Sequence, residues 1–395
     1  MIALLKIAVI TFRNLKKNTG DSVHTVNFLK EATKRAQITL YIPKYCLSQN
    51  IQKTIITVEL PQRLTIPVLL LKLFINRHKY DILYTREILF LSHMHLIKKI
   101  IRKSIFLEVN GIPSKEAEIA NKLEPGAISE NRLQLIRKRE KTAFNTADHI
   151  IAVTNGLKRL LLEDYKVNAN NVSVVPNGVD PKEFSPDISV KDVRKTLNLE
   201  RSQVVMSVSS FKPWHGVLDI VKAATKITQE KPNVKFLLIG SGPTLPLAQR
   251  KVSKLKLNSY FIFIGERPHN ELPKLVNLAD VCVYTPQPHG YIERIGLASI
   301  KIFEYMATGK PIVAYRIKGL KEIIEESGAG ILVDPGDSDS LATAILTLLN
   351  HPQMAKKMGE NGRKAVERKY TWSGVVDQII TILNQKLSIE GYQDR

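Results

Sequence analysis

A glutamate five residues beyond a serine is the pairing in this chain best placed to do chemistry. In SIKIFEYMATGKPIVA, Ser299 to Ala314, the spacing predicts a helix over 299–308. Gly309-Lys310-Pro311 stops it, and Ile312 to Ala314 follow as a short apolar strand. Ile300, Phe303 and Met306 or Ala307 recur at helical spacing and form its buried side. Ser299 stands at the N-cap, after a loop over 290–296. A helix start offers unpaired N–H groups and the positive end of a dipole, which suit a phosphate. Glu304 lies too far inside to cap. Its carboxylate can accept two hydrogen bonds from vicinal hydroxyls such as those of a ribose. A phosphate seat backed by a diol acceptor is the chemistry of a nucleotide site, although a helix glutamate is often only a solvated one.

Other chemistry-like signals read as structure. Asp337-Ser338-Asp339 has the D-x-D spacing of some metal-dependent enzymes, but it precedes an Ala/Leu helix and reads as a cap. Gly240-Ser241-Gly242 lacks the third glycine of a dinucleotide fingerprint, since Leu245 stands there. Ala307-Thr308-Gly309-Lys310 ends like a phosphate loop, but Pro311 replaces the hydroxyl residue. His93 and His95 have no third ligand in view. No metal and no cofactor are expected.

The elements that must position Glu304 alternate between apolar strand-like and amphipathic helix-like runs, the pattern of a parallel α/β sheet. Strands are expected over 4–11, 38–41, 81–84, 105–109, 149–153 and 172–175, with helices near 21–34 and 133–147. The alternation pauses after Val175-Pro176-Asn177-Gly178-Val179-Asp180, where Pro181, Ser185 and Pro186 make a stiff connector. It resumes with strands over 204–208, 234–239, 261–264, 280–284, 312–314 and 330–333. The expected fold is α/β: two doubly wound, Rossmann-like domains, 1–183 and 184–371, facing across a cleft, with 372–395 as a final helix. Ligands of such sheets bind at the carboxyl ends of the strands.

The same stretch around Glu304 resembles the signature helix of family 4 retaining glycosyltransferases, the group 1 set with the GT-B fold, which reads E-x-F-G-x-x-x-x-E-A-M-A-x-G-x-P. VVPNGVDPKEF, TADHIIAVTNGLKRLL, VKFLLIGSGP, FIFIGERP, LADVCVYTP and GAGILVDPGDSDSLATAI are similar to further blocks in order, so the resemblance covers nearly the whole chain. It implies that residues 1–183 bind the acceptor, that 184–371 bind a nucleotide-sugar donor, and that the last helix crosses back to the first domain. It carries the ribose contact onto Glu304 and groups Ser299 and Lys301 with the donor-binding residues. The first motif glutamate falls at Gly296, with Glu293 nearby but out of register. The family block V-G-R-L-x-x-x-K-G corresponds to VSSFKPWHGV, placing the arginine at Ser210, the lysine at His215 and the glycine at Gly216. Lys212 is the cation that can substitute there, because charge builds on the departing phosphate. The loop from Gly265 to Arg267 falls near the base.

In the first half, the turn Asn18-Thr19-Gly20-Asp21-Ser22 corresponds to a Gly-Gly turn of relatives in which only Gly20 survives; Asp21 or Ser22 can equally be a cap. Asn110 occupies the place of a histidine that touches the donor sugar in many relatives, and an amide cannot exchange a proton. In the family the leaving phosphate is thought to take the acceptor proton. Glu108, Glu116 and Glu118 are candidate acceptor contacts, the last two also explicable as a solvated helix face. The catalytic set is thus Lys212, His215, Glu304 and Asn110.

The chain has 395 residues, a formal charge of +21 and two cysteines, Cys46 and Cys282, too far apart to suggest a disulfide framework. No secretory leader is read at the start, and no apolar run reaches the roughly 20 residues that cross a bilayer. A cytoplasmic protein is expected, resting on the cytosolic face of a membrane if Leu89 to Phe106 form one basic amphipathic helix that presents Lys98, Lys99, Arg102 and Lys103 to anionic lipid. The expected partners are a nucleotide sugar and a glycan or lipid-linked acceptor, not nucleic acid. Two other classes stay open: a GT-B nucleotide-sugar epimerase or phosphorylase, and a basic nucleic-acid-binding protein. Dispersed charge and the lack of an aromatic-basic motif weigh against the last.

Overall fold

A computed structural model describes residues 4–17, 19–48, 51, 55–62, 64–123 and 126–389; Asn18 of the first turn lies outside them. The chain divides into two compact units, Met1–Pro176 with Trp372–Arg395, and Asn177–Thr371. The boundary therefore falls earlier than 183. Val179, expected near the close of the first domain, is 2% exposed within the core of the second, beside Phe184.

The first unit is built on a parallel sheet of β1 (Lys6–Ile10), β2 (Gln37–Pro43), β3 (Ile56–Leu60), β4 (Ile82–Thr85), β5 (Ser104–Val109), β6 (His149–Ala152) and β7 (Val172–Val174). Its order is β3-β2-β1-β4-β5-β6-β7. The central strands are buried along nearly their whole length, as continuous apolar runs such as Ile7 to Ile10 require when helices cover both faces. Ile7 pairs with Ile38 on one side and Ile82 on the other, so β1 is the inner strand beside which the order reverses. The helix Trp372–Ile389 belongs to this unit: the Trp372 and His24 rings meet edge to face at 4.7 Å, and Arg35 reaches Asp377 at 2.5 Å and Ser373 Oγ at 2.6 Å.

One expected element is absent. Leu89 to Phe106 do not form a continuous helix. They divide into the helix Ile88–Met94, the single turn Lys98–Ile101 and β5. Arg102, at φ 52°, turns the chain out of the helical conformation, and the apolar run Ile105 to Leu107 is taken into the sheet centre.

The second unit repeats the architecture with β8 (Gln203–Val208), β9 (Val234–Ile239), β10 (Phe261–Gly265), β11 (Val281–Tyr284), β12 (Ile312–Tyr315) and β13 (Gly330–Val333), in the order β10-β9-β8-β11-β12-β13. All described pairings are parallel. Side chains such as Phe236, Leu237, Val283 and Phe303 are fully buried, each worth about 1.5–3 kcal/mol over exposure. The order reverses between β8 and β11, so the loops leaving their carboxyl ends flank the position where such sheets hold ligands. Those loops carry Ser209 to Gly216 and the approach to Ser299.

Candidate active site

The helix predicted over 299–308 spans Ile300–Ala307, with Ser299 at its N-cap in extended backbone. The Ser299 side chain does not cap it. It hydrogen-bonds with Tyr284 at the end of β11, so the first N–H groups of the helix lack a side-chain cap. One turn on, Glu304 is only 3% exposed. It is therefore not a solvated surface glutamate. His269 Nε2 lies 2.6 Å from its Oε1, and His269 Nδ1 is 3.9 Å from Glu183. Burial pulls His269 down, but the hydrogen bond and charge of Glu304, helped by Glu183, raise its pKa above the ordinary 6.5. His269 was not anticipated. It sits 35 positions before Glu304, and its one sequence cue was its place two residues after the expected base loop.

The loop after β8 is held by backbone contact with the loop after β9. Phe211 has φ 42°, and its carbonyl accepts from the Thr244 amide at 2.9 Å. A Cβ at Gly240 would overlap the Ser209 carbonyl and one at Gly242 the Ser210 carbonyl, which explains two glycines that form no fingerprint. The loop continues into a short 3-10 turn, Pro213–His215, and Gly216, at φ 61°, opens the helix Val217–Glu230.

His215 does not replace the family cation. Its Nδ1 lies 2.9 Å from Ser209 Oγ and 3.1 Å from Ser210 Oγ. Both hydroxyls can donate to Nδ1, an arrangement that leaves the ring proton on Nε2. Burial, then Lys301 and Lys212, lower the His215 pKa to about 3. It is a neutral donor at physiological pH. The positive charge instead comes from Lys212, exposed beside the Trp214 ring at 5.1 Å, and Lys301, half-buried on the first turn of the Glu304 helix. Burial holds Lys301 below its ordinary pKa; Glu304 pulls it up and Lys212 pushes it down. Lys212 thus lies near enough to Lys301 to lower its pKa, and two cations beside a neutral imidazole have the chemistry to hold an anion.

The remaining donor-side expectations scatter. Gly265 ends β10 and its carbonyl accepts from Gly240 N at 2.8 Å, while Arg267 is exposed beyond it. Glu293 lies exposed on the turn Gly290–Ile295. Gly296, at φ 75°, would bring a Cβ to 2.9 Å from the Lys318 carbonyl, so this backbone has no room for the glutamate of relatives. A cavity of about 560 Å³ borders Pro213, Gly216, Asp219 and Gln287 but not Lys301 or Glu304. Asp337 caps its helix, accepting from the Asp339 and Ser340 amides at 3.1 and 2.9 Å.

In the first unit, Gly20 begins the helix Gly20–Ala32, with Thr19 rather than Asp21 or Ser22 at the N-cap. Asp21 pairs with Arg13 at 3.0 Å and Arg86 at 3.5 Å. Glu108 is not an open acceptor contact. It is 2% exposed, 2.9 Å from His24 Nε2 and 3.3 Å from Arg86 Nε, and it accepts the Tyr84 hydroxyl. Burial pushes this carboxyl up, but His24 and Arg86 outweigh it and bring the pKa to about 2. Burial, and then the same guanidinium, lower the His24 pKa against the pull of Glu108. Asn110 joins this cluster when its amide is oriented with the nitrogen donating to Glu108 Oε1, at 3.1 Å, and the oxygen accepting from Arg86. Glu118 pairs with Lys115 and Arg137, and Glu116 lies on the same helix, Pro113–Leu123.

Residues 189–365 match the family described as glycosyl transferases group 1, and residues 19–183 match glycosyltransferase family 4. The chain belongs to the group 1, family 4 glycosyltransferases. An uncharacterized glycosyltransferase of Methanocaldococcus jannaschii is 25% identical over 270 residues, 67% of each chain. A GDP-mannose-dependent phosphatidylinositol monomannoside mannosyltransferase of Mycolicibacterium smegmatis is 30% identical over 50% of this chain and 52% of its own. A D-inositol 3-phosphate glycosyltransferase of Corynebacterium glutamicum is 27% identical over 64% and 60%. The matches to these curated relatives thus span between 52% and 67% of their length. Among solved structures, Anabaena HepE in complex with UDP superposes with a TM-score of 0.76 at 20% identity, covering 96% of this chain and 100% of that one. Sucrose-phosphate synthase of Thermosynechococcus elongatus gives 0.75 at 23%, covering 98% and 100%. These likenesses establish the GT-B glycosyltransferase fold.

Proposed function

We propose that the protein moves a sugar, with retention of configuration, from a nucleoside-diphosphate sugar to a glycan or lipid-linked acceptor in cell-surface glycoconjugate synthesis. The observation that carries this reading is the grouping of Lys212, Lys301 and neutral His215 by the uncapped start of the helix that bears buried Glu304. In the reaction the bond from the anomeric carbon to the phosphate oxygen breaks. The electron pair stays on the phosphate, where the two ammonium groups, the helix N–H groups and the His215 Nε2–H meet it. Glu304 Oε2, the oxygen His269 leaves open, takes the ribose hydroxyls. The acceptor oxygen bonds to the same face of the sugar and its proton passes to the departing phosphate, so the transfer is metal-independent. UDP in the Anabaena neighbour and the lipid and inositol acceptors named for the relatives support the substrate classes.

Thermal shift with UDP, GDP, ADP and NAD tests the donor site. One nucleoside diphosphate should stabilise the wild type, by about 2.7 kcal/mol at a hundredfold excess over Kd. Glu304→Ala should abolish that shift. Stabilisation by NAD alone, or an unchanged shift in Glu304→Ala, would refute the reading. Transfer that continues in EDTA, with the α-anomeric product from an α-linked donor, checks the metal-independent, retaining chemistry.

A further inference from the structure

Twelve large apolar side chains stay exposed among the described residues, and six of them lie on two neighbouring segments of the first unit. Leu64, Leu71, Phe74 and Ile75 line the helix Thr65–Ile75 and its entry, and Leu96 and Ile100 lie on the adjoining turn Lys98–Ile101 and its approach. The two segments pack together. On the longer helix the exposed positions recur at i, i+7 and i+11, while Leu69 and Leu73 on the opposite side are fully buried. A helix apolar on all sides belongs in a core or in lipid, and here only one side has a core to enter.

Charge selects what covers the other side. From Leu64 to Lys103 the chain carries eight Lys and Arg against two acids, Asp81 and Glu87. Arg86 is engaged with Glu108, and Lys98 holds Asp148 at 2.5 Å. Lys99, Arg102, Arg77 and Lys79 are exposed, with the Arg77 guanidinium 4.4 Å over the Phe74 ring, so cation and apolar surface are interleaved. A second copy seated here face to face would bring like charges together. A nucleic acid would leave the leucines and isoleucines unmatched, since such interfaces are polar.

We propose that this face docks on an anionic lipid bilayer, with Leu71, Phe74, Ile75 and Ile100 entering the headgroup level and the surrounding Lys and Arg meeting lipid phosphates. The contact surface is thus the exposed side of Thr65–Ile75 with the Lys98–Ile101 turn, not a single helix over 89–106. The inference deepens the lipid-linked acceptor reading but does not use the donor site.

Co-sedimentation of the full chain with phosphatidylcholine vesicles, with and without phosphatidylglycerol, at low and high salt tests it. Binding should require phosphatidylglycerol and weaken in salt. Lys99→Gln and Lys103→Gln should each weaken it about fivefold, and Leu71→Ser with Phe74→Ser at least about tenfold. Because the altered apolar side chains are exposed, melting temperature should hold, and the nucleotide shift should be unchanged in all of these variants. Wild-type binding in the Leu71→Ser, Phe74→Ser protein would overturn the proposal. So would an absence of vesicle binding, or a dimer in sedimentation velocity that Leu71→Ser dissolves. Loss of the nucleotide shift in wild type would instead strike the donor site and leave this face untouched.

Discussion

His269 Nε2 donates to Glu304 Oε1 across 2.6 Å, and Glu183 stands behind the ring at 3.9 Å from Nδ1. The imidazole pKa is raised, so the stabilisation this pair gives is complete below the unfolded value near 6.5 and fades as pH rises through the folded value. The melting-temperature gap between wild type and His269→Phe should be wide at pH 6 and narrow towards pH 9. The same variant should weaken binding of a ribonucleoside diphosphate by roughly tenfold, about 1.4 kcal/mol, and leave a 2′,3′-dideoxy analogue nearly unaffected. A gap independent of pH would show that His269 serves packing alone.

Lys212 and Lys301 face one anion in the proposed chemistry. Alanine at either should lower kcat/KM by about 1.5–3 kcal/mol, roughly 10- to 100-fold, and the losses should not add because the two cations act on the same phosphate. His215, already neutral, should contribute no ionisation to the kcat profile between pH 5 and 9. A limb near pH 6 that disappears in His215→Asn would contradict that state.

Restoring the glutamate of relatives at Gly296 should harm this protein. Left-handed backbone at φ 75° and the Lys318 carbonyl both oppose a side chain there, so Gly296→Glu should cost at least about 1–2 kcal/mol in denaturant unfolding. Gain of activity without loss of stability would show that the turn adapts freely.

In the first unit, Glu108→Gln removes the charge from beneath Arg86 and should cost about 3–5 kcal/mol near neutral pH. The folded pKa of Glu108 is depressed to about 2, so its contribution is present above the unfolded value near 4.5 and is lost as pH falls through 2. Urea titrations at pH 7, 5 and 3 should show equal gaps at the first two and a smaller one at the third.

Much of the fold was legible because fully buried parallel strands are apolar end to end, as in Ile7 to Ile10 and Val281 to Tyr284. The edge strand Ile56–Leu60 was missed: four of its five residues stay at least partly exposed, so it lacks the buried run that marks its neighbours. The Glu304 helix was placed to within a residue at each end, since its period and the Gly-Lys-Pro stop are local signals. His269 and the Arg86–Glu108 cluster were hidden because they depend on how distant strands are ordered. No local spacing reports the neutrality of His215, which burial and two lysines impose. Lys98 to Lys103 do not continue the expected helix, because burying Ile105 to Leu107 in the sheet outweighed extending an amphipathic turn.

The helix Trp372–Ile389 joins the last part of the chain to the first: Asp377 and Ser373 hold Arg35, and Trp372 lies on His24. During synthesis the early half therefore emerges with one side unfinished and stays so until residues 372–389 have been made. Truncation by a premature stop would fall on the oldest part of the molecule, making the amino-terminal unit the first to aggregate or be degraded.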